Sequence, residues 1–156
     1  MYIFEGSTFV DPFFMDYFEI SFFGLFLASF LSATILPIAS EGILLLVLAA
    51  GFDPINCLLI ATLGNSLGGS TNYLIGWFGN PLWLKRAGFK EKNIINFEKR
   101  IQRYGSWLAL ISWLPFIGDP LLLALGFFKA PFFPVIVLMI IGKFLRYFAL
   151  IIPWLW

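Results

Sequence analysis

Histidine is absent, cysteine occurs once, and only 12% of the 156 residues are charged. Each shortage excludes something. Without His the chain lacks the commonest general base and the commonest zinc ligand. With Cys57 alone it forms no intramolecular disulfide. Globular domains carry about 25% charged residues, so an ordinarily solvated surface is excluded as well. What fills the composition instead is apolar: 60% hydrophobic residues, including 20 Phe and 6 Trp. These proportions predict a single membrane domain over residues 1–156.

Basic residues are missing from the first 84 positions, where Glu5, Asp11, Asp16, Glu19, Glu41 and Asp53 all lie. Seven of the ten bases fall between Lys85 and Arg103, and with Glu91 and Glu98 they give that segment a net charge of +5 within a total of +1. The aromatic, acidic N-terminus has neither the basic start nor the small-residue cleavage pattern of a signal peptide. Its first residues are therefore expected to be retained.

A crossing helix needs about 20 apolar residues. Two runs qualify: Pro54 to about Phe78, with Asp53 as N-cap and Pro54 in the first turn, and Pro131 to about Pro153, ending in interfacial tryptophans. Two other apolar stretches are interrupted, at Pro37 to Glu41 and at Pro115 to Pro120. The flanking pieces, 22–36 and 42–51, then 106–114 and 121–128, are too short to cross and read as half-helices. Their breaks, marked by Pro37 and Ser40 and by Pro115, Gly118 and Pro120, are expected to face inward, because irregular backbone at membrane depth needs polar partners.

The interruptions match each other. Each places an acid four residues after a proline, Glu41 after Pro37 and Asp119 after Pro115, and each is followed by a glycine (Gly51, Gly126) and a proline that opens a span (Pro54, Pro131). This is a weak internal repeat over about 22–79 and 106–153. Lys and Arg favour cytoplasmic loops, so the basic linker 80–105 is predicted to be cytoplasmic, and the two hairpins then enter from opposite faces. The fold expected is all-α: a multi-pass membrane protein with two inverted re-entrant helical hairpins, two full transmembrane helices and an interfacial amphipathic helix over 93–104. The alternative for 93–104 is a solvated loop that only sets topology.

An ionisable group near the bilayer centre costs upward of about 2.5 kcal/mol and normally faces a cavity and a partner. Glu41 and Asp119 therefore point to function, although an acid near a helix N-terminus also serves as a cap. Burial disfavours the charged carboxylate and a nearby cation favours it, which suits a hairpin-tip carboxyl to taking up and releasing a proton. Lys143 and Arg146, three residues apart on the last span, are the expected counter-cations, with snorkelling to an interface the other reading for Arg146. In the first span, Gly64 and Gly68 form a small-xxx-small packing pattern joined by Gly69. Read functionally, Asn65, Ser66, Asn72 and Tyr73 line a polar path for a headgroup.

No enzyme site assembles from these residues. A serine nucleophile lacks a His base, a metal site lacks ligands, an aspartyl dyad has only Glu41 with Asp119, and the glycines lack the GxGxxG spacing. The chain is expected to be no enzyme, with no catalytic residue, no cofactor, no metal and no nucleic-acid partner.

Pro37 to Glu41 with Gly51, Gly64 to Gly79 around Tyr73, Arg103-Tyr-Gly105, Trp113-Leu-Pro115 and Gly126 resemble the DedA family, also described by its SNARE-associated or VTT domain, while Ser32-Ala-Thr-Ile-Leu-Pro37, Ala61-Thr-Leu-Gly-Asn65, Ser112 to Pro120 and Gly142-Lys-Phe-Leu-Arg-Tyr147 look like its short YqaA type. The resemblance covers about residues 25–150. It implies an inner-membrane transporter or scramblase of phospholipid or polyprenyl-phosphate lipids, dependent on the proton gradient and on paired acids. Glu41 matches the first of those acids and Asp53 the second. Many members carry arginines around the second hairpin, where this chain has Ser112 and Gly118.

The function expected is movement of a lipid headgroup across the membrane, possible partners being lipids, protons and a second copy of the chain. A small-solute, cation or drug exporter and a non-transporting scaffold are the alternatives.

Overall fold

The computed structural model describes residues 12–34, 40–80, 91–114 and 117–155, with side chains from Ser21 onward except those of 91–94 and 97. Among these residues there are helices and no strands: α1 (Pro12–Thr34), α2 (Ser40–Ala49), α3 (Pro54–Trp77), α4 (Glu91–Leu108) running into a 3₁₀ turn (Ala109–Trp113), α5 (Gly118–Phe127), and α6 (Phe132–Ile151) with a final 3₁₀ turn (Ile152–Trp154). Pro37 and Pro115, assigned above to the breaks, lie outside the described residues, as do residues 1–11; of 12–20 the helical backbone alone is described.

Asp53 starts α3 as expected, its carboxylate accepting from the Asn56 N–H at 2.8 Å with Pro54 in the first turn. Pro131 stands in the N-cap position of α6. Other boundaries differ from expectation. α1 is one helix of 23 residues rather than a half-helix: Asp16 and Glu19 interrupt the apolar run, but neither residue breaks a helix. Residues 106–108 are the end of α4 rather than a separate arm. Pro120 is not a break: it sits in the first turn of α5, where the missing N–H costs nothing. Ser40 and Gly118 are the first residues of α2 and α5. Among the described residues one helix, Phe132–Trp154, is both long and apolar enough to cross a membrane. α3 has 24 residues, but its polar positions lower its hydropathy and are turned inward.

Two apolar clusters fix the arrangement. In one, Leu44 and Leu48 of α2 pack with Leu25 of α1, Cys57, Leu58 and Ala61 from the start of α3, and Tyr147 and Ile151 from the end of α6. In the other, Leu122 and Leu125 of α5 pack with Tyr73 from the end of α3, Ile101 of α4, and Val135 and Met139 from the start of α6. The beginning of α3 thus lies against the end of α6 and the reverse, so these two helices are antiparallel. α2 covers one end of the pair and α5 the other. Each short helix turns back into its long neighbour, so both N-termini point at the middle of the α3/α6 pair.

Small residues let the backbones meet. A Cβ at Gly64 would fall on the Phe26 carbonyl of α1, and one at Gly68 would sit 2.6 Å from both the Phe30 carbonyl oxygen and Ala33 Cβ, the close approach that small-xxx-small spacing permits. Gly51 closes α2 at φ +89°, a region that favours glycine, with its N–H on the Leu48 carbonyl. At the far end of α3, Lys129 donates to the Trp77 carbonyl and lies 4.4 Å from the Trp77 ring centroid, satisfying a helix-end acceptor that α3 leaves open.

Candidate functional site

Lys143 is the twelfth residue of α6 and Asn65 the twelfth of α3, each about 17 Å along its helix axis. They meet. Lys143 is 1% exposed, and its ammonium donates to the Asn65 carbonyl oxygen at 2.8 Å, to Asn65 Oδ1, and to Asp119 Oδ1 at 2.9 Å. An ammonium has three N–H groups, and here three acceptors take them. Asp119 comes from the first turn of α5, where a helix N-terminus favours negative charge.

One turn further along the same face of α6, the Tyr147 hydroxyl accepts from Asn65 Nδ2 at 2.5 Å and donates to Ser40 Oγ at 2.9 Å. Beside it, Arg146 Nε donates to Glu41 Oε1 at 2.6 Å, and its terminal NH2 also pairs with that oxygen. Ser40 and Glu41 open α2 as Gly118 and Asp119 open α5. The tips of the two short helices are therefore joined by a polar seam: Asp119, Lys143, Asn65, Tyr147, Ser40, with Glu41–Arg146 at its edge. The two ion pairs differ in access. Side-chain exposure is 2% for Lys143 and 28% for Asp119, against 17% for Arg146 and 42% for Glu41.

Gly69 makes room for this seam. A Cβ there would lie 2.8 Å from Lys143 Nζ and 2.7 Å from Met139 Sδ. Thr62 and Ser66, buried one turn apart on the same side of α3, leave their hydroxyls unpaired among the described residues. The neighbouring Ser70 and Thr71 instead bond back to their own helix.

The remaining sequence-predicted residues lie elsewhere. Asn72 donates to the Ala33 carbonyl at 2.6 Å and ties α3 to α1. Tyr73 is fully buried, with its hydroxyl on the Ala130 carbonyl at 2.5 Å. Asp53 caps α3 about 18 Å along the axis from Asn65. Of the two positions where the resemblance leads one to expect arginines, Gly118 packs so closely that a Cβ would fall on the Ser112 carbonyl. Among the described residues, no group of three or more His, Cys, Asp or Glu is placed to hold a metal. Sequence reasoning missed Tyr147 as a site residue, although its i+4 spacing from Lys143 puts both on one face.

Half-length helices aimed at a charged seam between two long helices define, among the described residues, an all-α protein. Residues 34–153 match the model of the VTT domain, and the chain belongs to that family. It is 44% identical to inner membrane protein YqaA of Escherichia coli over 131 residues, 83% of this chain and 88% of the relative, and equally so to the Shigella flexneri protein of that name. It is 36% identical over 135 residues to an "uncharacterized protein" of Haemophilus influenzae, covering 81% of this chain and 83% of the relative. No solved structure matches it.

Proposed function

We propose that this chain lies in the inner membrane, as the name of its E. coli relative says of that protein, and passes the headgroup of a phosphate-bearing lipid from one leaflet to the other. The supporting geometry is one of lengths. A hydrocarbon core is about 30 Å thick, and a ten-residue helix rises about 15 Å. With the α3/α6 pair crossing the core, α2 and α5 reach its midplane from opposite faces as re-entrant arms. The basic linker 80–105 lies on the cytoplasmic side.

One observation carries the reading: the Glu41–Arg146 pair is partly open, about one turn past the middle of a spanning helix, and has donors to spare. Arg146 has five N–H groups, and Glu41 engages two of them. The rest, with the N-terminus of α2 alongside, suit a phosphate. Lys143 positions the seam and leaves the headgroup to Arg146. The phosphate replaces Glu41 as the partner of Arg146, and the acyl chains stay in surrounding lipid. A non-transporting scaffold is the second reading, favoured by the saturation of Lys143.

The test is translocation of fluorescent phospholipid in proteoliposomes. Wild type is expected to exceed empty liposomes severalfold, with Glu41→Gln and Arg146→Gln returning to background while remaining folded. Wild-type rates equal to those of empty liposomes sink the proposal and favour the scaffold.

A further inference from the structure

Lys143 presents an arrangement that the lipid-transport reading does not use. Its ammonium sits where oxygens from two separate elements converge: the main-chain carbonyl and side-chain oxygen of Asn65 on α3, and a carboxylate oxygen of Asp119 on α5. A mid-helix carbonyl normally accepts only from the N–H four residues on. Here it is reachable by a second donor because residue 69, next along that face, has no side chain. Two neutral oxygens and one carboxylate around a 1% exposed point make a cage for one positive charge. Carbonyl oxygens replace the hydration shell of small cations in just this way in ion-conducting and ion-coupled membrane proteins.

We infer that Asn65 and Asp119 form a monovalent-cation site that Lys143 fills permanently with its own ammonium. The lysine is a tethered ion. It neutralises Asp119, bridges α3 to α5, and makes the wild-type protein indifferent to which small cation surrounds it. The site's geometry, rather than a covalent link to α6, is what selects its occupant. A free ammonium or alkali ion therefore binds there once the tether is cut. The inference concerns the site's occupancy and stands whether or not lipid is the cargo.

The experiment reads thermal stability of the full chain in nanodiscs, in matched chloride salts of ammonium, methylammonium, sodium, potassium and choline. Wild type is expected to have one Tm in all five. Lys143→Met keeps the side chain's bulk and loses the charge; its Tm falls in choline and recovers by roughly half or more in a saturable manner with ammonium or an alkali ion, as mass action requires of a ligand that binds only the folded state. Asp119→Asn/Lys143→Met, in which neither partner is left charged, is expected to be cation-indifferent. A folded Lys143→Met protein with the same Tm in every salt overturns the inference. So does rescue equal in choline, which is too large for the cage, or failure to recover Lys143→Met in any salt when the double variant is recovered.

Discussion

Glu41–Arg146 and Asp119–Lys143 occupy equivalent places, each an acid from the first turn of a ten-residue helix paired with a base on one face of α6. They are not equivalent in surroundings. Asp119 meets an ammonium that is sealed and fully engaged. Glu41 is 42% exposed and meets a guanidinium with donors remaining. Matched positions thus carry one sealed ion pair and one partly open ion pair.

The largest test of that contrast is to remove each acid. Asp119→Ala leaves a buried charge uncompensated and is expected to cost about 3–5 kcal/mol, whereas Glu41→Ala, at a partly open pair, is expected to cost about 1 kcal/mol or less. Thermal unfolding of both variants in nanodiscs measures this, and equal losses break the comparison. Tyr147→Phe removes the hydroxyl that joins the two sides and strands the Asn65 amide and Ser40; a loss of about 2 kcal/mol is expected, with stability read as above.

Gly69→Ala forces Lys143 or Met139 aside and is expected to cost about 1–2 kcal/mol. Combined with Lys143→Met, its cost is expected to shrink, a non-additivity that a double-mutant cycle reports. Asp53→Ala is expected to cost about 1 kcal/mol for a lost cap, with lipid translocation unchanged. A translocation defect there would bring Asp53 into the site, as the family resemblance suggests.

Part of this arrangement was legible in the sequence. Asp53-Pro54 marks the start of α3, and the matched Pro-x-x-x-acid spacing places Glu41 and Asp119 at equivalent positions, because caps and breaks are written in a few neighbouring residues. The extent of α1 was hidden because counting apolar residues stops at Glu19 while helix propensity does not. Asn72 and Tyr73 share a polar stretch with Asn65, but their partners, Ala33 and Ala130, are 39 and 57 residues away, and local pattern carries no such information. Lys129 takes φ 56° without being glycine because it follows the C-cap of α5, its N–H on the Gly126 carbonyl and the Ala130 N–H on the Leu125 carbonyl; its side-chain contact with Trp77 is one only the fold creates.

Cys57 is the chain's only thiol and lies at 0% exposure beneath Leu44 and Leu48 of α2. The native thiol is accordingly expected to react slowly with maleimides, so that reporter cysteines can be introduced without first removing it. Any slow labelling of Cys57 itself clocks how often α2 lifts away from α3, a stopwatch already fitted beneath the arm that carries Glu41.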